Sequence, residues 1–394
     1  MNGPSCIRAL KESSHHAPRD VTMAHQSSCP LAGRKSSLVP LITRSVMATL
    51  RASRLLAAFV LLAISSVGSS HVWAQGPSIQ YGDAVPADVK MVYERGLAYL
   101  AKVQQPDGSW SGGQQGGGIT GMCLMAFLAN GDDPNFGQYQ LNIQRACRNI
   151  IKSQDANTGF IPGSMYHHGF ATLALSEAYG AVDDTLLWDG GDAGKQRSIG
   201  EALELAVRCA ITNQNNEGGW RYSPGSNDAD TSVTGAVLMG LLAARNAGIE
   251  VPDQVIDKSL LYYQTMTAKG GTVGYSGAGS HGSSMNRSAI ATLVMAIGKR
   301  RDWDKYQAAA HYIGSQLQHQ DQGYPFYFRY YMAQALFQSD YESWVKWKRE
   351  NTAILRNLQR EDGRFDAGHG PAYGTAMSLL SLALDYRYLP IYER

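Results

Sequence analysis

The sequence predicts an all-α fold, an (α/α)6 toroid in which six helix–loop–helix repeats form an inner and an outer ring. Three observations predict it: Gly-aromatic turns recur along the chain, the helix before each turn is amphipathic, and the helix after it is apolar nearly all round. A helix that is apolar on all sides is buried, whereas one with a single apolar stripe covers other structure. We expect a closed ring rather than an open solenoid, because the second helices lack the long polar face of an exposed concave surface.

The repeat is clearest at residues 95–110, where an amphipathic helix with a Gln near its end leads into a Gly-Ser-Trp turn. The aromatic positions of the six turns lie 50, 60, 55, 49 and 41 residues apart; we assign them structural roles at Trp110, Phe160, Trp220, Tyr275, Tyr324 and Phe365. The glutamines that precede these turns are Gln104, Gln154, Gln214, Gln264, Gln318 or Gln320, and Gln359.

The N-terminal segment has the pattern of a secretory signal. Arg51 and Arg54 precede an apolar run at residues 55–67, and Val72-Trp73-Ala74 follows as a cleavage site. We interpret residues 1–46 as an over-extended start or a disordered arm, 47–74 as the signal peptide, and 75–394 as a single toroid domain. The prediction is an exported protein, periplasmic or secreted, without a transmembrane anchor.

The composition of residues 75–394 gives no support for a nucleic-acid partner. These residues contain 27 Lys+Arg and 31 Asp+Glu, a net charge of −4, so nothing favours nucleic acid.

The three cysteines, Cys123, Cys147 and Cys209, each lie in an apolar helical pattern, which predicts buried free thiols with an interior pair as the alternative. We predict no metal and no cofactor, because phosphate-loop, dinucleotide and zinc motifs are absent from the sequence. The sequence does not predict the oligomeric state.

The turns also resemble a known family. Arg95-Gly96, Tyr99-Leu100, Gln104 and Gly108-Ser109-Trp110 resemble the Gln-Trp repeat of squalene–hopene cyclases and other terpenoid cyclases. The other five units resemble degenerate copies of the prenyltransferase and squalene-oxidase repeat. The resemblance covers residues 87–386 and implies an α/α toroid that binds an isoprenoid or other lipid in its central cavity.

The acid motif that the resemblance implies is degenerate. Class II terpenoid cyclases carry an Asp-x-Asp-Asp-Thr-Ala-like motif whose middle Asp protonates the polyene. The comparable stretch is Asn227-Asp228-Ala229-Asp230-Thr231-Ser232, which places Ala229 where the proton donor should stand. The Asp, Cys and His zinc ligands of protein prenyltransferases also have no recognisable positions. The sequence therefore argues against cyclisation.

Polar residues recur where each inner helix begins, and a closed ring brings these positions together at one mouth. His and Asp near one cavity suit acid–base chemistry, so the predicted catalytic residues are Asp228, Asp230 and His168. The predicted ligand-binding residues are Tyr166, His167, His281, Arg287, Tyr327, Arg329, Tyr330, His369 and Tyr373. The same residues have alternative structural roles. The Asp residues would be helix N-caps, the two adjacent histidines a hydrogen-bonded loop pair, and the tyrosines packing residues.

Three functions stay open at this point. The first is an isoprenoid- or lipid-binding toroid, which predicts a deep apolar cavity lined from Met122, Met125, Phe127, Phe170 and Met239. The second is a carbohydrate-active or glycan-binding toroid, which predicts a wide polar cleft rimmed by aromatic residues. The third is a non-catalytic interaction scaffold, which predicts a filled axis.

Overall fold

The computed structural model describes residues 85–111, 116–188, 196–277 and 284–392. The predicted signal peptide and the arm before it lie outside these residues. All of the described residues belong to one compact unit. No helix in the described ranges is long and apolar enough to span a membrane.

Twelve α-helices occupy the described residues, and they alternate between two rings. The outer helices are α1 (Ala87–Val103), α3 (Gln140–Ser153), α5 (Ile199–Thr212), α7 (Asp253–Met266), α9 (Asp304–Gly314) and α11 (Tyr341–Leu358). The inner helices are α2 (Gly117–Leu128), α4 (Met165–Ala178), α6 (Thr231–Asn246), α8 (Met285–Ile297), α10 (Pro325–Ser339) and α12 (Pro371–Leu382). Short 3₁₀ turns lie at Asp184–Leu186, Ala383–Asp385 and Pro390–Tyr392.

Burial separates the two rings as their sequences predict. Every residue of α2 is buried, whereas α3 buries only the stripe that includes Ile143, Cys147 and Ile150. Each inner helix packs on the next, and α12 packs on α2, which closes the inner ring. The (α/α)6 toroid is confirmed. The three cysteines are buried and free, as predicted.

Turn glutamines hold neighbouring units together. The Nε2 of Gln104 donates to the carbonyl of Gly108 in its own turn at 3.0 Å and to that of Asn142 in α3 at 2.9 Å. Gln154, Gln214 and Gln359 make the same pair of bonds, each to its own turn glycine and to the first part of the next outer helix or, for Gln359, to α1. Each pair of bonds thereby ties a turn to the outer helix that follows it in the ring.

The turn glycines are required by both conformation and space. Gly108 has φ +89°, and a Cβ there would stand 2.1 Å from the carbonyl oxygen of Arg145. Glycines with the same two properties are Gly159, Gly218, Gly271 and Gly363. Each therefore lets its turn pack directly on the backbone of the next outer helix.

The register of two turns differs from the sequence prediction. The residue two positions after the turn glycine is the buried one, as at Trp110, Trp220 and Phe365. By this rule Ile161 replaces Phe160 in the second unit, and Gly271 with Val273 replaces Gly274 with Tyr275 in the fourth. The position at the helix end that a glutamine occupies in other units is held here by Thr267 rather than by Gln264.

The fifth unit has no such turn. Gly323 lacks the left-handed conformation of the other turn glycines, and Tyr324 is exposed. In place of the turn hydrogen bonds, the Arg329 guanidinium donates to Gln320 Oε1 at 2.6 Å and to Asn351 Oδ1 at 2.9 Å. Arg329 thus joins α10 to Gln320 and to α11 in a unit whose Gly323 is not a left-handed turn glycine.

Candidate functional site

A cavity of about 330 Å³ opens where the inner helices begin. All six inner helices contribute to its wall through residues in their first two turns. The lining residues are Ile119, Met122, Tyr166, His167, Tyr222, Ser232, Tyr275, Ser284, Asn286, Arg287, Tyr324, Tyr327, His369 and Tyr373. The convergence follows from the closed ring, because each turn delivers the start of an inner helix to the same end.

The structure brings most of the predicted ligand-binding residues into this wall. Those that line the cavity are Tyr166, His167, Arg287, Tyr327, His369 and Tyr373. His281 lies outside the described residues. Sequence reasoning missed Tyr222 and assigned Tyr275 and Tyr324 to the repeat framework. The signal that could have found them is a tyrosine in each of the turns before α6, α8 and α10.

Arg329 and Tyr330 do not line the cavity. Arg329 is buried between α10 and α11, and burial lowers the pKa of its guanidinium. Tyr330 lies deeper along α10, where its hydroxyl meets that of Tyr392 at 2.5 Å. Successive residues turn about 100° around a helix axis, so Arg329, two positions after Tyr327, faces away from the mouth. Tyr330, three positions after it, lies on the same side one turn deeper.

The three residues predicted to be catalytic also lie outside the cavity lining. The Oδ1 of Asp230 caps α6 by accepting from the backbone N–H of Ser232 at 2.7 Å and of Val233 at 3.0 Å. Asp228 is exposed and forms an ion pair with Arg221 at 2.6 Å. Asp230 therefore occupies the N-cap position that sequence reasoning kept as the alternative, whereas Asp228 pairs with an arginine and caps no helix.

His168 is part of the framework. Its Nδ1 accepts from the backbone N–H of Ile161 at 3.1 Å, and its Nε2 lies 3.0 Å from the carbonyl oxygen of Ala206. Thr234 and Thr375 accept from the backbone of Trp220 and Phe365 in the same way, so His168 occupies a recurring bracing position. Burial lowers the pKa of His168 to about 4, which keeps it neutral.

Aromatic side chains close the axis below the cavity. Helices α4 and α10 belong to the second and fifth units, which face each other across a ring of six. Nevertheless Tyr166 lies 6.0 Å from Tyr327, and Phe170 lies 6.0 Å from Tyr330, between ring centroids. Tyr392, from the C-terminal 3₁₀ turn, meets Tyr330 further down. The site is consequently a shallow cavity at the mouth rather than a channel.

His167 offers the cavity a hydrogen-bond donor. Its Nδ1 accepts from the backbone N–H of Gly118 at 3.2 Å, so in the neutral ring the proton resides on Nε2. Burial is the main cause of the lowered pKa of His167, and the nearby His369 lowers this pKa further. The hydrogen bond with the Gly116 backbone acts in the opposite direction. Glycine is needed here because a Cβ on Gly118 would stand 2.9 Å from both Cα and Nδ1 of His167.

Arg287 is the only arginine among the described lining residues, which include neither lysine nor carboxylate. Its Nε donates to the Val273 carbonyl at 2.9 Å, and its guanidinium carbon lies 5.7 Å from the centre of the Tyr275 ring. The Asp230 side chain and then Tyr222 raise the pKa of Tyr275. Half-burial lowers the pKa of Arg287, and the nearby Asp230 opposes that shift. The buried Asp230 carboxylate, which does not itself line the cavity, thus stabilises the charge of Arg287.

The described lining therefore contains six tyrosines, two histidines and one arginine, and no carboxylate. Such a wall can stack on ring faces and exchange hydrogen bonds with hydroxyl groups. It supplies neither a carboxylic acid for polyene protonation nor the carboxylate pair of a glycosidase. Within the described ranges, no group of three His, Cys, Asp or Glu side chains is arranged to hold a metal ion.

Known proteins share this fold without sharing the sequence. No protein-family model and no curated protein matches the chain. Several solved structures, among them the following three, are similar to it. The first is an α-1,6-mannanase of glycoside hydrolase family 76 from a Salegentibacter species, with a TM-score of 0.56 at 8% identity over 75% of this chain and 98% of that one.

The second is a type II terpene cyclase, MstE from Scytonema, in complex with geranylgeranyl dihydroxybenzoate, with a TM-score of 0.54 at 14% identity over 77% of this chain and 98% of that one. The third is cellobiose 2-epimerase from Bacillus thermoamylovorans, with a TM-score of 0.54 at 12% identity over 75% and 99%. All three are likenesses of fold, and they divide between terpenoid and sugar chemistry.

Proposed function

We propose that the mouth cavity binds a small, hydroxyl-rich ring compound, a saccharide, without hydrolysing it. The observation that carries this proposal is the lining: six tyrosines surround a shallow cavity in the described structure, and no carboxylate joins them. A sugar ring has C–H faces that pack on aromatic rings and hydroxyl groups that pair with phenol, amide and imidazole groups. Tyrosine meets both needs because its ring is apolar and its hydroxyl is polar.

The size of the cavity agrees with this ligand class. Small-molecule sites occupy ~300–1,000 Å³, and about 330 Å³ lies at the lower end of that range. An extended polyprenyl chain needs a long apolar tunnel, whereas rings of α4 and α10 meet across the axis directly below this cavity. The axis therefore favours a compact ligand at the mouth.

The isoprenoid hypothesis keeps one specific support. Ile119 and Met122 of α2 give the cavity an apolar side, against which a short prenyl group could lie. Of the other residues considered for a deep cavity, Phe170 helps to close the axis, and Phe127 packs on Trp110 and Tyr139. The filled axis also agrees with an interaction scaffold, but a scaffold does not require the tyrosine-lined cavity.

Ligand-observed NMR and calorimetry with the full chain test the proposal. The probes are glucose, mannose, cellobiose and an α-1,6-linked mannobiose on one side, and farnesol and geranylgeraniol on the other. We expect saturation transfer to at least one saccharide and no release of reducing ends over hours. Saturation transfer to the prenyl alcohols alone would replace the saccharide assignment with the isoprenoid one, and no transfer to any probe would overturn it.

Two variants locate the binding. Tyr373→Phe removes one hydroxyl from the wall, and loss of one hydrogen bond of ~0.5–1.5 kcal/mol weakens binding by about two- to tenfold. Phe136→Ala is the matched control, because Phe136 is 75% exposed in the loop after α2, at the opposite end of that helix from the mouth. Equal affinities of the two variants would place the ligand elsewhere.

A further inference from the structure

Three exposed tyrosines stand around the mouth. Tyr222, Tyr275 and Tyr324 are 48%, 39% and 57% exposed, and each contributes to the cavity lining from its outer edge. They lie in the turns that lead into α6, α8 and α10, which are consecutive inner helices of the ring. We call these three residues the tyrosine rim. Aromatic side chains exposed together beside a cavity indicate a surface that is covered when a ligand binds.

Neighbouring side chains hold the rim in place. The hydroxyls of Tyr222 and Tyr275 lie 3.5 Å apart, and the guanidinium carbons of Arg221 and Arg287 each lie 5.7 Å from the centre of the Tyr275 ring. Arg221 is itself fixed by Asp228 at 2.6 Å. This gives the exposed Asp228, predicted to be catalytic, a positioning role at the rim.

The other end of the rim is fixed by stacking. The rings of Tyr324 and His369 are nearly parallel, 6° apart with centroids 6.0 Å from each other, and His369 contacts Tyr373 edge-on at 5.2 Å. Rings that are already ordered lose little rotamer freedom when a ligand covers them. The tyrosine rim is therefore a preorganised binding surface rather than a set of mobile side chains.

We infer that the ligand is a chain of sugar rings, whose terminal unit occupies the cavity while the following units pack on the tyrosine rim. This inference rests on the proposed function and extends it from a single sugar to an oligosaccharide. A cavity of about 330 Å³ encloses only a short ligand, so a ligand that also covers the exposed parts of Tyr222 and Tyr324 must extend beyond it. Hydroxyl groups at the ring edges of the rim suit a wet, polar chain better than a lipid tail.

Affinity as a function of chain length tests the inference. Calorimetry with the full chain uses mono- to hexasaccharides of the β-1,4-gluco and α-1,6-manno series. We expect the tetrasaccharide of the preferred series to bind at least tenfold more tightly than its monosaccharide. In Tyr222→Ala/Tyr324→Ala, this ratio should fall below about threefold. Phe136→Ala should keep the tenfold ratio, and melting temperatures identify any variant that is misfolded.

The outcomes separate the two proposals. Monosaccharide binding with no gain in affinity along either series would overturn the chain assignment and leave the saccharide cavity standing. The same would follow if the double variant kept the full gain. No binding of any saccharide would overturn both. Because both rim substitutions are at exposed tyrosines, we expect the double variant to fold, and Tyr222→Phe/Tyr324→Phe, which keeps the rings, should retain most of the gain.

Discussion

The Nε2 of Gln359 donates a 2.9 Å hydrogen bond to the carbonyl oxygen of Val92, 267 residues earlier in the chain. Arg95 adds bonds from α1 to the carbonyls of Arg360 and Glu361 at 2.8 and 3.0 Å. The last unit thereby makes with the first the same contact that each earlier turn glutamine makes with the next outer helix. The ring is closed by the repeat interaction itself.

We expect Gln359→Ala to destabilise the ring by ~1–3 kcal/mol, because it removes the donor that joins two carbonyl groups across the closure. Gln264→Ala is the control, since Gln264 precedes a turn in sequence without occupying the equivalent helix end. Its effect should be within ~0.5 kcal/mol. Differential scanning calorimetry of both variants measures the difference, and equal melting temperatures would contradict the role of the turn glutamine.

His168 should make stability depend on pH. The folded state keeps this ring neutral with a pKa of about 4, whereas the unfolded chain protonates it near 6.5. Its contribution is complete above pH 6.5 and is lost as pH falls towards 4. The loss between pH 7.5 and pH 5 is about 2 kcal/mol. Chemical unfolding at the two pH values, with His168→Gln as a variant that cannot titrate, isolates this part; identical pH dependence in both proteins would refute it.

The role of Asp230 can be read from two substitutions. As an N-cap, it should tolerate Asp230→Asn with little loss of stability, whereas Asp230→Ala should cost ~0.5–2 kcal/mol. Thermal unfolding of the two variants gives the comparison. If the Asn variant were fully stable but abolished a turnover measured for the native protein, Asp230 would be a catalytic acid and the capping role would be secondary.

The glycine run at the start of α2 gives a fourth prediction. Gly118→Ala should lower the melting temperature and displace His167, because the new Cβ would meet its Cα and Nδ1 at 2.9 Å. Gly314→Ala, at the end of α9, is the control, since a Cβ there has no heavy atom within 4 Å. NMR resonances of the imidazole ring report the displacement. Unchanged His167 resonances in Gly118→Ala would show that the contact does not position the ring.

The sequence predicted the architecture well because hydrophobic periodicity and turn spacing are local patterns. The sequence prediction was wrong where a shift of one or two residues decides which side chain is buried and which lines the cavity. Tyr275 fitted the Gly-aromatic pattern, but the conformation of Gly271 places Val273 in the buried position. His167 and His168 were indistinguishable in sequence, yet a rotation of about 100° puts one in the cavity and the other in the framework.

The location of the mouth was predictable, because six helix starts must meet in a closed ring. The filled axis was not, because it depends on contacts between α4 and α10, such as that of Phe170 with Tyr330, 160 residues later in the chain. No local pattern reports which aromatic side chains reach across a ring. Cavity depth, and with it the choice between a lipid and a saccharide, therefore required the three-dimensional arrangement.

The hydrogen bond between Gln359 and Val92 also affects how the chain folds to its native state. An open array of repeats can nucleate anywhere, grow outward, and gain or lose a unit at its ends. Here the first unit lacks one of its neighbours until the sixth has been synthesised, so the contact that completes the molecule spans nearly the whole described chain. Such long-range closure slows folding. It also means that the last unit cannot be removed without breaking the contact with the first.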